Sequence, residues 1–407
     1  GRRRSARRNG ALRDGVRGSG TGAATSRYLL QQIPLPMALL SPFALGPLAL
    51  PNRMVLAPLT RSRHVDQIPT DLAPTYYAQR ASAGLLIAEA TQVMPRGQGY
   101  PQTPGIYTDA QVAAWRRVTD LVHAVGGRIA LQLWHVGRVS HSAYHDGKPP
   151  VAPSAIPATG KAMTPDFQFV DFETPHALTA DEIAETVEAY RLGARKAKEA
   201  GFDAVEIHAA NGYLIEQFLS SGSNQRTDGY GGSVDNRLRF LREVTEAVLS
   251  EWDADRVGAR LSFGAGINGV VDEDPQTTFA AVAETLSKAG LVYLHGIRSN
   301  DRMGAAASFD PIQLMRDHFD GAVIANGGYG REDGDAVIEA GTADLVAYGR
   351  PFLANPDLPI RYAAQAAGLG APLNDPDSDT FYGGGARGYT DYPVWDGQEA
   401  NVPAEEA

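Results

Sequence analysis

Ala200-Gly201-Phe202-Asp203-Ala204-Val205-Glu206-Ile207-His208 is the stretch on which the fold turns. A helical pattern runs into it over 179–200, opened by a capping box of Thr179 with Glu182 and carrying Ile183, Val187, Tyr190, Ala194 and Ala197 on one stripe. Gly201 ends that helix, because glycine accepts the left-handed conformation found just past a helix C-terminus. The period then drops to two, with Val205 and Ile207 on one face and Glu206 and His208 on the other. A strand whose apolar side meets helices and whose polar side points inward belongs in a closed barrel. An open doubly wound sheet, the second candidate, asks for apolar runs on both faces.

The same unit recurs along the chain. Ala83-Gly84 precedes a strand expected over 85–90, Gly126-Gly127 one over 128–134, Ala289-Gly290 one over 291–295, and Ala340-Gly341 one over 345–348. Segments 53–58, 257–262 and 322–326 complete a set of eight, each followed by room for a helix. Arg260 and Ser262 against Leu261, and Gln132 and Trp134 against Leu131 and Leu133, repeat the parity. Eight such units in about 330 residues predict an α/β fold, a (β/α)8 TIM barrel. No linker or composition shift marks a second domain, so 37–407 is expected to be a single one.

Composition narrows the function. The chain has 407 residues, 43% hydrophobic and 21% charged, which fits a globular protein and excludes a disordered or collagen-like one. A net charge of −10 disfavours nucleic acid as a partner. No apolar run approaches the roughly 18 residues of a membrane span. With no cysteine, disulfides, thiolate nucleophiles and zinc ribbons are excluded. The nine histidines are scattered without a His-Glu-x-x-His pairing, so no metal site is expected. Residues 1–36 stand apart, with eight Arg against one acid, Asp14; removing their +7 leaves −17 on the remainder. Such an Arg-rich leader resembles a transit peptide or a vector-derived scar, and disorder is expected of it. The expected location is cytoplasmic, with organelle import if the leader is a genuine transit peptide.

In a TIM barrel the chemistry sits at the C-terminal ends of the strands. Gly327-Gly328 after strand seven and Gly349-Arg350 after strand eight read as a phosphate site, since glycines let backbone N–H groups approach an anion and Arg adds a charge-assisted bond. The same glycines could equally only shape turns. His208, Asn211 and Tyr213 place an imidazole, a carboxamide and a phenol in one segment, suited to polarising a carbonyl and giving a proton. A core His bonded to backbone, with Tyr213 packed under a helix, is the plain structural alternative.

Other chemistries lack their residues. None of the lysines stands at a strand end, which disfavours a Schiff-base aldolase. A glycosidase pair would need Glu89 with Glu206, but Glu89 has the wrong parity if Ala88 and Ala90 point inward. Gly264-Ala265-Gly266-Ile267-Asn268-Gly269 matches a dinucleotide fingerprint in form only, because Asp272 to Pro275 follow where a helix should already run.

At these strand ends the sequence resembles the old yellow enzyme family of FMN-dependent ene-reductases, in its classical branch. The resemblance rests on Pro58-Leu59-Thr60-Arg61, Tyr76-Tyr77-Ala78-Gln79-Arg80, Gly99-Tyr100-Pro101-Gln102-Thr103-Pro104-Gly105 and His208-Ala209-Ala210-Asn211-Gly212-Tyr213. Asn224 to Ser233, Gly349-Arg350-Pro351-Phe352 and Phe381-Tyr382 extend it. It implies non-covalent FMN across the barrel mouth, with the phosphate on Gly327, Gly328, Gly349 and Arg350. Thr60 would bond the O4 region, Gln132 and Arg260 the pyrimidine edge, and Pro58 and Ala90 would flank the ring. Arg260 makes physical sense there, since a fixed cation stabilises an anionic reduced flavin.

The resemblance further implies a catalytic set of His208, Asn211 and Tyr213, and a substrate site lined by Tyr100, Trp134 and Tyr382. NADPH or NADH would reduce the flavin and leave; an activated alkene would then enter, giving ping-pong kinetics. A monomer or homodimer is expected. Two departures stand out: Phe263 after Ser262 where the family usually has Pro, and Arg298 after strand six where an acid is more usual. Read without the resemblance, the residues also admit a cofactor-free lyase or isomerase with His208 and Tyr213 as base and acid, or a non-catalytic barrel binding a phosphorylated metabolite.

Overall fold

Alternation of period and glycine punctuation produces, in the computed structural model, eight parallel strands: β1 (Met54–Leu56), β2 (Leu85–Gln92), β3 (Ile129–Trp134), β4 (Ala204–Ala209), β5 (Val257–Leu261), β6 (Tyr293–Ile297), β7 (Ala322–Asn326) and β8 (Leu345–Tyr348). Each pairs with the next, and β8 returns to β1 through Tyr348 opposite Leu56, closing the barrel. Closure excludes the open doubly wound sheet. The structure describes residues 37–263, 266–298 and 309–397. The expected leader, 1–36, and Gly264 and Ala265 of the glycine-rich loop lie outside the described residues.

Around the barrel run α1 (Ala73–Gln79), α2 (Asp109–Ala124), α3 (Ala180–Glu199), α4 (Arg239–Leu249), α5 (Pro275–Lys288), α6 (Pro311–His318), α7 (Arg331–Glu339) and α8 (Leu358–Ala366), with shorter helices between them. The capping box foreseen for α3 is present: Thr179 Oγ1 accepts from Glu182 N–H at 3.2 Å, and Glu182 Oε2 accepts from Thr179 N–H at 2.9 Å. α5 starts only at Pro275, after a single turn over Ile267–Gly269, so the glycine-rich loop does not open a helix as a dinucleotide fingerprint requires.

Two apolar shells follow from strand parity. Leu131, Leu133, Val205, Ile207, Ala259 and Leu261 pack outward with helix residues such as Ile183, Tyr190 and Val244. Val55, Leu85, Ile87, Ala130, Ala204, Tyr293, Ile324 and Leu345 fill the interior. A hairpin of Phe43–Leu45 and Leu48–Leu50 adds Leu45, Leu48 and Leu50 to that inner cluster and plugs the N-terminal mouth. Polar inward residues are thereby confined to the half of the barrel nearer the opposite mouth.

β2 corrects one parity assignment. Ala88 was expected to face inward with Ala90, yet it packs outward with Leu86. A register shift between Ala88 and Thr91 resets the phase, so Ala90 turns to the mouth while Glu89 bonds His64 Nε2 at 2.9 Å and the Tyr77 hydroxyl at 3.3 Å. Glu89 and Glu206 are therefore no carboxylate pair. Between β3 and α3 an excursion with two small sheets brings Ala158 and Phe172 against Ala90, Trp134 and Val139 at the mouth. Among the described residues no helix is long and apolar enough to cross a membrane.

Candidate active site

β4 delivers His208 inward, and the chain then turns through two left-handed residues, Asn211 at φ +59° and Gly212 at φ +74°. Gly212 is required there twice over: by its φ, and because a Cβ would come 2.3 Å from Ile267 O. Buried side chains lock this turn. Glu216 Oε2 accepts Gly212 N–H at 2.6 Å and the Ser262 hydroxyl at 2.7 Å, while Ser262 Oγ accepts Asn211 N–H at 2.7 Å. Gln217 Nε2 donates to Gly212 O at 2.8 Å and to Val136 O at 3.0 Å.

The lock sets four rings against one another. Tyr213 stands edge-on to His208, with ring centres 5.0 Å apart at 89°, and edge-on to Trp134 at 5.1 Å. Tyr100 stacks on Trp134 at 5.7 Å, and the Tyr213 hydroxyl donates to the Tyr100 hydroxyl at 3.2 Å. Tyr382, 56% exposed, lies close enough to Tyr100 and Tyr213 to act on both phenols.

Burial fixes the protonation states. It holds the His208 imidazole well below its usual range, with the Arg260 cation adding to the effect. His208 Nδ1 accepts Ala210 N–H at 3.3 Å, which leaves the ring proton on Nε2. Burial, and then neighbouring Tyr100, push the Tyr213 phenol well above its usual range, so it keeps its proton. Together they make a neutral N–H donor beside a protonated phenol. The arrangement polarises an oxygen and supplies a proton.

Toward the barrel axis the inward residues are polar. Gln132 Nε2 donates to Glu206 Oε1 at 2.6 Å, and Arg260 Nη2 donates to Asn326 Oδ1 at 3.2 Å. Arg260 Nε is buried without a partner. Pro58 is buried and Thr60 half-buried just past β1. At β7, Gly327 and Gly328 take φ +119° and +83°. Arg298 donates to both of their carbonyl oxygens at 3.0 Å and to Asp333 at 2.8 Å. Gly349 starts the short helix Arg350–Ala354 past β8, with Arg350 exposed.

These residues fit a flavin mononucleotide. An orphaned buried guanidinium nitrogen needs an acceptor, Ala90 offers an apolar wall, and a left-handed Gly-Gly turn beside a helix start suits an anion. All the residues anticipated for the site lie at the C-terminal mouth, with Tyr382 reaching it from the chain's end. Glu206, Glu216, Gln217 and Arg298 were not among them. Their signal was their position within the quoted motifs or beside a strand end, which does not reveal what a buried side chain bonds.

Comparison with known proteins agrees with this geometry. Residues 38–367 match the model of the NADH:flavin oxidoreductase / NADH oxidase family. 12-Oxophytodienoate reductase 1 of Oryza sativa subsp. japonica is 46% identical over 360 residues, covering 87% of this chain and 92% of the relative. A solved structure of morphinone reductase in complex with tetrahydroNAD is 47% identical with a TM-score of 0.81, covering 91% of this chain and 99% of the other. The old yellow enzyme homologue from Zymomonas mobilis is 41% identical with a TM-score of 0.83, covering 88% and 99%. With the family model spanning most of the barrel and relatives matched over nearly their whole length, the chain belongs to the NADH:flavin oxidoreductase / NADH oxidase family and is an FMN-dependent, old yellow enzyme-type NAD(P)H oxidoreductase acting on activated C=C bonds.

Proposed function

We propose that this chain reduces the C=C bond of α,β-unsaturated carbonyls, nitroalkenes and maleimides, with NAD(P)H and the alkene taking turns at one site. FMN, when bound, supplies the chemistry of accepting hydride from NAD(P)H and delivering it to the alkene β-carbon. Gln132, Arg260, Thr60, Pro58 and Ala90 hold its ring, and Gly327, Gly328, Gly349 and Arg350 its phosphate. Relatives named for 12-oxophytodienoate and morphinone, both oxo compounds by name, favour a conjugated carbonyl among these substrates.

His208 Nε2–H and the Asn211 carboxamide hold the carbonyl or nitro oxygen. Their hydrogen bonds strengthen as negative charge grows on that oxygen, so they act mainly on the transition state. Tyr213 gives its proton to the α-carbon. Trp134, Tyr100 and Tyr382 wall the pocket and keep water from competing for that proton.

One observation carries this reading: the Tyr213 phenol edge-on to the His208 imidazole, 5.0 Å between ring centres. The test is an absorption spectrum of the purified protein, followed by anaerobic NADPH and then, in separate runs, 2-cyclohexenone, a nitroalkene and a maleimide. Flavin bands should bleach with NADPH and return with the enone. Bands that bleach but do not return with any of the three alkene classes would sink the substrate assignment.

A further inference from the structure

Inside the barrel, one inward step below His208, stands a carboxyl group with no exposed surface, Glu206 of β4. Both of its oxygens accept hydrogen bonds: Oε1 from Gln132 Nε2 of β3 at 2.6 Å, Oε2 from His295 Nδ1 of β6 at 3.0 Å. Burial holds His295 neutral, so it donates without cancelling the charge. Arg260 faces the same interior from the neighbouring strand, because Glu206 lies opposite Gly258 and His208 opposite Arg260. That cation is itself buried and tied to Asn326. A plain structural core would fill this place with Leu or Ile, since buried ions are costly and often replaced by apolar side chains without loss of stability.

We propose that Glu206 is a positioning residue whose charge sets the reduction potential of the bound flavin. This rests on the reading that Gln132 and Arg260 meet the flavin ring. An oxidised flavin is neutral and its two-electron reduced form, after taking a hydride, is an anion. Arg260 favours the anion; Glu206 offsets that cation in the oxidised state and opposes the new charge in the reduced one. The pair keeps the flavin easy enough to reduce with a nicotinamide and still able to give hydride to an alkene. Glu206 also fixes which end of the Gln132 carboxamide faces the barrel axis.

The experiment measures the ratio of reduced to oxidised FMN at a fixed redox poise in the holoenzyme, for wild type, Glu206→Gln, Arg260→Gln and the double variant. Glu206→Gln should raise that ratio about tenfold, ~30 mV for a two-electron couple. Arg260→Gln should lower it, and the double variant should return toward wild type. Glu206→Asp, which keeps the charge, should stay near wild type. A potential unchanged or lowered in Glu206→Gln, with Arg260→Gln shifted as expected, overturns the role of Glu206 alone. No shift in either single variant overturns the placement of Arg260 at the flavin as well. If Glu206→Gln fails to fold, Arg260→Gln against the double variant asks the same question, and an equal reduced share in those two overturns the proposal.

Discussion

A phenol and an imidazole meeting edge to face do little unless their protons are in the right places, and here burial arranges both. Tyr213 keeps its proton because a phenolate would be desolvated beside Tyr100, and His208 stays neutral because an imidazolium would be desolvated beside Arg260. Neither group should titrate between pH 6 and 9, so the alkene half-reaction is expected to run at a flat rate across that range; a bell centred there in stopped-flow traces would contradict these states. Tyr213→Phe should slow alkene reduction about 10²- to 10⁴-fold, the usual contribution of a general acid, while NADPH still reduces the flavin at the wild-type rate. Equal loss in both half-reactions would remove Tyr213 as proton donor. His208→Ala should weaken binding of a phenol, whose oxygen would take the place of the alkene's carbonyl oxygen, by about 10²-fold, because one charge-stabilising donor disappears. Spectral titration with p-hydroxybenzaldehyde reads that change directly.

Elements carry these residues by two kinds of information, and only one was legible in the sequence. α3 and the eight strands announce themselves through period, caps and glycine, all within a few residues of one another. The barrel and the mouth that gathers His208, Tyr213, Gln132 and Arg260 followed from that. The β2 register shift did not, because it is settled by what Glu89 finds in His64 and Tyr77 once the chain has folded. Nor did the strap over residues 380–388, which Arg61 and Arg63 hold from the other end of the chain. Arg61 donates to Thr380 O at 3.2 Å and to Gly388 O at 2.7 Å; Arg63 donates to Thr380 O at 2.9 Å, Gly385 O at 3.1 Å and Arg387 O at 3.1 Å. Burial, then the adjacent Arg61, lower the Arg63 guanidinium to about 10, still cationic at neutral pH. Arg63→Met would leave the Gly385 and Arg387 carbonyls without that donor, so global stability should fall by roughly 1.5–3 kcal/mol, the range for bonds to a charged group. Amide exchange should accelerate in 380–388 before the barrel strands, and KM for the alkene should rise through Tyr382 more than kcat falls. Uniform acceleration across the barrel would mean the arginines support the fold at large and not the strap.

For the molecule as a whole, acid is the condition that separates the folded from the unfolded chain, and it does so in two windows. Burial, with His145 and Arg96 nearby, lowers His135 to about 3; burial, then Arg96, lowers His145 to about 4. Both stay neutral in the folded protein down to those values, while in the unfolded chain each takes a proton near pH 6.5. Below that pH the unfolded state therefore binds more protons, and stability falls as pH drops, by roughly 1.4 kcal/mol per pH unit for each histidine until its folded value is reached. Glu182 opens the second window. Burial pushes its carboxyl up, but the Thr179 and His176 bonds outweigh that and bring it to about 2, so its contribution is full above pH 4.5 and is lost toward pH 2. Urea unfolding at closely spaced pH should thus show stability declining first between about 6.5 and 4, with a slope that lessens by one proton in His145→Asn. Glu182→Gln should leave that upper slope unchanged and flatten only the lower one. A loss confined below pH 4.5 in the wild type would mean that His135 and His145 protonate in the folded protein, which requires water to reach the loop after β3 where Ser140 holds His145 at 2.9 Å.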